Sequence, residues 1–313
     1  MTTQGQASRT VMMIRPVRFG FNPQTAGSNA FQTVDAEGTS QATQDKALAE
    51  FDAYVKDLRD AGIEVLVFED TREPHTPDSI FPNNWVSFHD DGRVALYPME
   101  APNRRDERRA DILERMQSEH GYTISEKIDF TATEEEGKYL EGTGSLIFDY
   151  ANKEVYASYS TRTHPDLLAE VGQKLGFDVI GFHAVDGAGK DIYHTNVVMC
   201  LGHSYAVIGL DAIPDAAERE RVKMRLEATG HEIIALSLQQ LAQFAGNMYE
   251  LQDADGNFHL VMSTTARASL RSEQVAAIEK HAALLPVNIE TIERYGGGSA
   301  RCMIAEVRLP KKG

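Results

Sequence analysis

Cysteine is scarce in this chain: only Cys200 and Cys302 occur among 313 residues. Two thiols so far apart make no disulfide framework, and that usage fits a reducing cytoplasm. Basic residues are short too, 31 against 47 acidic ones, for a formal charge of −16. Such a surface repels nucleic-acid phosphates and anionic membranes, so neither is expected as a bulk partner. No run approaches the ~20 apolar residues that span a bilayer, and the polar opening lacks the apolar stretch of a signal peptide. Histidines at helical metal spacing and paired cysteines are missing, so no metal is expected. No cofactor is expected either. Gly142-Thr143-Gly144 precedes a strand rather than a helix, unlike a dinucleotide fingerprint. Gly296-Gly297-Gly298 lacks the Gly-Lys-Ser/Thr ending of a phosphate loop.

What is present is a core and a rhythm. Hydrophobic residues make up 42% and aromatics 8%, enough for a packed interior. Residues 1–9 read as a disordered N-terminus and 10–313 as one domain. A strand fits residues 10–17, a long polar-aromatic loop 19–32, a helix 41–61 and a strand 64–68. Then one pattern repeats: two strands around a turn, a helix, another strand. The first copy is 84–88, 94–98, 103–120 and 127–130, hinged on Asp91-Gly92. The others are 145–148, 154–158, 164–175, 178–182; 196–201, 205–209, 215–229, 232–236; and 248–251, 259–263, 272–281, 285–289. The leftover strands at the two ends complete a fifth unit. Units of roughly 50–60 residues that cannot bury their own faces predict a closed α/β ring of five ββαβ modules around a central cavity. The alternative is an ordinary α/β sandwich with hairpins.

Polar residues fall at equivalent strand ends in these units: Asp78 to Asn84, Glu141, His194, Asn247 and Cys302. In a ring, such positions face one cavity. Cys302, His194 and Glu141 can then meet as nucleophile, general acid/base and orienting carboxylate. A free thiol has a pKa of about 8.5, so a neighbouring imidazole or a cationic substrate is needed to raise its thiolate fraction. Taken singly, Cys302 reads as a buried thiol, Glu141 as a turn residue and His194 as a strand-end histidine. His183, His203 and Cys200 read as structural, and Glu134-Glu135-Glu136 as a solvated acidic loop.

At these residues the sequence resembles the guanidino-group-modifying enzymes of the pentein (α/β propeller) fold: arginine deiminases, dimethylarginine hydrolases and amidinotransferases. Pro77-Asp78-Ser79-Ile80-Phe81 resembles their substrate-binding segment, and Ala101-Pro102-Asn103-Arg104-Arg105 the basic segment after it. Glu141-Gly142 resembles the acidic turn that supplies the triad carboxylate. Ser160-Thr161-Arg162-Thr163 resembles the segment whose arginine holds the substrate carboxylate. Phe19-Gly20-Phe21-Asn22-Pro23 and Phe81-Pro82-Asn83-Asn84-Trp85 are most similar to the citrulline-utilisation hydrolase branch.

The resemblance implies Cys302, His194 and Glu141 as catalytic residues. It implies Asp78, Asn83, Asn84, Arg104, Arg162 and Asn247 as substrate contacts, for a small amino-acid substrate. Where guanidinium-binding relatives carry acids, this chain has Asn83 and Asn84. An acid ~4 Å from a guanidinium contributes about 4 kcal/mol at an effective dielectric of 20, before desolvation. An amide gives that up but offers the donor and the acceptor that a neutral ureido group needs. Hydrolysis of citrulline to ornithine through a covalent Cys302 intermediate is therefore the expectation. The alternatives are an arginine deiminase, a methylarginine hydrolase, an amidinotransferase or a non-catalytic pentein binding protein. A homo-oligomer stays open.

Overall fold

Short alternating apolar stretches and turn residues make fifteen strands among the described residues. The computed structural model describes residues 5–27, 29, 31–33 and 36–312. β1 (Thr10–Arg15) runs parallel to β2 (Glu64–Glu69), and the helix Gln41–Asp60 makes the crossover that parallel neighbours require. Ser40 caps that helix by accepting the Thr43 N–H. Its inner face, Ala47, Phe51, Tyr54, Val55 and Leu58, packs on Val11 and Met13 of β1 and Val65 of β2. Full burial of each large side chain there contributes roughly 1.5–3 kcal/mol.

The same unit then recurs four times. Its strands are β3 (Val86–Phe88), β4 (Arg93–Leu96) and β5 (Glu126–Asp129); then β6 (Ile147–Asp149), β7 (Glu154–Tyr159) and β8 (Asp178–His183). They continue with β9 (Met199–Leu201), β10 (Tyr205–Ile208) and β11 (Glu232–Ala235), and β12 (Tyr249–Gln252), β13 (Phe258–Ser263) and β14 (Ala283–Val287). In every unit the first strand pairs antiparallel with the second, and the second parallel with the third. β15 (Ala305–Glu306) pairs antiparallel with β1, Val11 opposite Glu306, so both ends of the chain build one sheet. Five three-stranded sheets result.

The ring closes at its centre. β15 packs beside β3, β6 beside β9 and β9 beside β12, while the turn ahead of β3 meets the turns ahead of β6 and β15. The five-module expectation therefore describes the molecule. No helix among the described residues is long and apolar enough to cross a membrane.

Three local expectations change. The helix expected over 103–120 is two pieces, Pro102–Arg105 and Ala110–Ser118. Arg104 and Glu107 turn inward and are buried, yet a continuous helix would set them opposite the buried Ile112, Leu113 and Met116, and Arg109 is extended between the pieces. The strands expected from 84, 145 and 196 begin later, after short helical turns. The expected disordered tail is also smaller: residues 1–4 lie outside the described residues, but 5–9 are tied down. Gln6 donates to the Phe148 carbonyl at 2.7 Å, and Ser8 is buried and bridges Leu251.

One buried group couples this packing to pH. His89 lies under Phe148, 2.8 Å from Ser87 Oγ, and burial holds its pKa near 3. Because the native state disfavours the charged ring, His89 costs stability as pH falls from about 6.5, where the unfolded chain takes up the proton. The difference in urea midpoint between wild type and His89→Gln should narrow steadily from pH 7.5 to pH 4.5. A constant difference would show that His89 does not titrate as described.

Candidate active site

Just before each inner strand the backbone makes a tight turn at the ring centre. These are Pro82–Asn84, Gly142–Ser145, Thr195–Val198 and Ala300–Met303; in the remaining module the Asn247 N–H donates to Phe244 O at 2.8 Å. A strand there would have no partner on its inner side. A helical turn satisfies its own polar groups, as when Cys302 N–H donates to Ser299 O at 3.0 Å. Glu141 and His194 precede two of these turns, so the turns bring Asn83, Asn84, Glu141, His194, Asn247 and Cys302 to the centre.

A cavity of about 280 Å³, mouth included, is lined by Asp78, Asn84, Arg104, Arg162, His194 and Cys302, with Phe81, Tyr193 and the three glycines 296–298 as walls. Gly297 sits at φ +65°, and a Cβ there would lie 2.4 Å from Asn29 Nδ2. Only glycine allows this turn to close over the 19–32 loop, whose Asn29 donates to the Gly296 and Gly297 carbonyls.

His194 Nε2 is 2.8 Å from Glu141 Oε2. Burial works against the Glu141 charge, yet Arg162, at 3.3 Å, and the His194 contact hold this carboxyl far below the usual range. The Glu100 backbone N–H also donates to it at 3.0 Å. Burial lowers His194 to about 4 against the opposing pull of Glu141, so the ring is neutral at pH 7. With Nε2–H donating to the carboxylate, Nδ1 is the acceptor nitrogen. Burial likewise pushes the Cys302 thiol up. The cavity thus holds a neutral thiol and a neutral imidazole.

The two cavity arginines are engaged by protein groups. Arg104 forms a fork with Glu107 at 2.8 and 2.9 Å and donates to Asn84 Oδ1 at 2.7 Å. Arg162 donates to Glu100 at 3.1 Å as well as to Glu141, and its guanidinium lies 4.8 Å over the Tyr193 ring. Asp78 accepts Asn22 and Thr25 on Oδ2, at 2.7 and 3.3 Å, while its buried Oδ1 has no hydrogen-bond partner among the described residues. Asn84 Nδ2 makes one long contact, 3.5 Å to Glu141 O.

Two expected substrate contacts lie elsewhere. Asn83 is buried beside the cavity, not in its lining, with both amide atoms unpartnered among the described residues. Asn247 sits against the cysteine, its Nδ2 3.2 Å from Cys302 Sγ. Sequence reading missed Asn196, whose Nδ2 is 3.4 Å from the same sulfur, and Tyr193, whose hydroxyl donates to Gly297 O at 2.9 Å. Tyr193 adjoins His194 and Asn196 lies two residues beyond it, which was the available signal. Of the acidic loop, Glu134 is not solvated; it pairs with Arg108 and Arg105.

The family model described as N,N dimethylarginine dimethylhydrolase, eukaryotic, matches residues 15–309. The chain belongs to this family. Its members are hydrolases of guanidino C–N bonds, and this chain is a hydrolase of linear amidine or ureido C–N bonds. No curated protein matches the sequence. Among solved structures it is similar to the substrate-bound N-terminal domain of ArgZ, an arginine dihydrolase of the ornithine–ammonia cycle in cyanobacteria. That likeness has 17% identity and a TM-score of 0.72 over 95% of this chain and 97% of the other. AgrE with ornithine and NAD+ is similar at 18% identity and TM-score 0.73, over 97% of this chain and 40% of its own. This chain thus spans less than half of AgrE. A dimethylarginine dimethylaminohydrolase carrying S-methyl-L-thiocitrulline is similar at 13% identity and TM-score 0.63, over 95% and 99%. At these identities the likeness establishes the fold, and the five-module ring of this family member is a pentein.

Gly144 marks how tightly the site is built. A Cβ there would lie 2.4 Å from Asn84 Nδ2 and 2.9 Å from His194 Nδ1 and Cε1. Gly144→Ala must displace both side chains, and a misplacement near 1 Å costs on the order of 100-fold in rate. Turnover should fall to that extent while the melting temperature moves little; an unimpaired kcat would mean that neither side chain is needed where it stands.

Proposed function

We propose that the chain is a cysteine-dependent hydrolase that converts citrulline to ornithine. The observation that carries this reading is the orientation of the Asn84 amide. Arg104 has only donors, so it fixes Oδ1 toward itself and leaves Nδ2, with its one long contact to Glu141 O, as the donor in the cavity that His194 shares. A ureido oxygen accepts from such a donor. A guanidinium has only N–H groups and would set donor against donor. Asp78 Oδ1 is the matching acceptor for the terminal NH₂.

In this mechanism the Cys302 thiol gives its proton to His194 Nδ1, and Glu141 stabilises the imidazolium that forms. The thiolate attacks the ureido carbon. The bond to the δ-nitrogen breaks, and that nitrogen takes the proton back from His194 and leaves as ornithine. Water, deprotonated by His194, then attacks the S-carbamoyl group, releasing the thiol and carbamate, which decomposes to ammonia and carbon dioxide. Arg162 is the cation for the substrate carboxylate. Arg104, forked on Glu107, orients Asn84 instead.

Arginine is the second reading. Asp78, with an unpaired buried oxygen, would suit a guanidinium NH₂, and AgrE has been seen with L-arginine. Ornithine release and the mass of Cys302 peptides, measured with citrulline, arginine and dimethylarginine in turn, separate the readings. Citrulline should be turned over with a Cys302 adduct, and Cys302→Ser should abolish both. Asn84→Asp should lower kcat/KM for citrulline by about 10-fold or more, since it removes a hydrogen-bond donor and adds a charge. Equal loss for citrulline and arginine would sink the neutral-head-group reading.

A further inference from the structure

The turn that bears Cys302 meets two asparagines from the two preceding modules of the ring. Asn196, in the turn Thr195–Val198, and Asn247, just ahead of β12, are both fully buried. Asn247 Nδ2 donates to Cys302 Sγ at 3.2 Å and Asn196 Nδ2 at 3.4 Å, within range for a sulfur acceptor. Neither asparagine lines the cavity, so neither is placed to touch a substrate.

We propose that Asn196 and Asn247 are positioning residues for Cys302, a neutral pair of donors that holds the sulfur and stabilises it as it becomes a thiolate. The orientation of Asn247 is fixed by groups with no choice of role. The Arg301 backbone N–H donates to its Oδ1 at 3.1 Å, and its Nδ2 donates to the Asn196 carbonyl at 3.1 Å. Flipping the amide would set donor on donor and acceptor on acceptor. Oδ1 also lies 3.6 Å from Sγ, where it accepts the thiol proton. Asn247 therefore serves both states of the sulfur: its oxygen takes the S–H, and its nitrogen donates to S⁻. Asn196 makes no other side-chain hydrogen bond among the described residues, its Oδ1 being unpartnered and buried.

Neutral donors suit the setting. A carboxylate at either position would repel the thiolate, and a lysine would ionise the thiol permanently. Other groups face the sulfur as well. Arg301 on the same turn is neutralised by Glu306 at 2.9 Å, and the Tyr54 and Tyr193 hydroxyls act from two other elements. His194, Asp78, Arg104 and Arg162 share the cavity with it. Of these groups only the two amides donate through a side chain to Sγ. The pair rests on Cys302 as nucleophile for its purpose, but its physical effect can be read without any substrate.

The experiment is the pH dependence of Cys302 alkylation by iodoacetamide from pH 6 to 10.5, followed by peptide mass on the full chain. Wild type is compared with Asn196→Ala, Asn247→Ala and Asn247→Asp. A hydrogen bond to a charged group is worth enough to shift the profile by about one pH unit or more. Each alanine variant should move the midpoint up by that amount, a ~10-fold loss of rate at pH 8, and Asn247→Asp should move it further. Midpoints that coincide with wild type would overturn the proposal. Should Asn247→Ala fail to fold by circular dichroism, Asn196→Ala decides alone, because its side chain is bonded only to the sulfur. Absence of turnover with citrulline would remove the substrate reading and leave these midpoints untouched.

Discussion

Glu141 keeps a negative charge where water does not reach it. The effective penalty for burying one ion is several kcal/mol, and it is offset only when good geometry and extra hydrogen bonds surround the charge. Here the offset comes from Glu141's own module and from its neighbours: Arg162 and His194 at one oxygen, with Arg104 at 3.9 Å, and the Glu100 N–H at the other. Arg104 is itself a buried cation that needs Glu107 and stands 3.8 Å from Asp78. No member of this network is stable alone. The Glu141 charge ties the site to the assembly of the ring, because three of its four partners, His194, Arg104 and the Glu100 N–H, sit on neighbouring modules.

The repeated turn explains how so many chemistries fit one small volume. Every module delivers its first strand to the centre through a locally bonded turn, so the backbone position is set by symmetry and the side chain is not. One turn carries amides, one begins at a carboxylate, one begins at an imidazole, and one carries a thiol. Arg104 and Arg162 enter from outside this frame and supply the positive charge that the turns lack. Their own bonds to Glu107, Asn84, Glu100 and Glu141 also fix which atoms of those residues are left to face the cavity.

Much of the fold was legible because its signals are local. Asp91-Gly92 and Asp255-Gly256-Asn257 mark hairpins, and the spacing of Phe51, Tyr54, Val55 and Leu58 marks one helix face. Equivalent places in the modules sufficed to gather Glu141, His194 and Cys302. What the sequence hid depends on contacts between modules. Asn247 reads as a cavity residue until the Arg301 backbone and the sulfur are seen to claim its amide. Arg104 reads as a substrate contact, although Glu107, one helical turn on, already hinted at an internal pair. The break in the 103–120 helix follows from the same inward pull and has no glycine or proline to announce it.

The sheet that carries Cys302 toward the cavity is shared by the first strand and the last, β1 and β15. A nascent chain makes β1 early, yet β1 must wait for nearly all of the remaining chain before its inner partner exists. Until then the ring has a gap on the side that Cys302 closes. The cavity lining therefore cannot be complete before the chain through β15 is made. A circular permutant opened at the Asp255–Asn257 hairpin would join the two halves of that sheet into one continuous stretch and reverse this order of assembly.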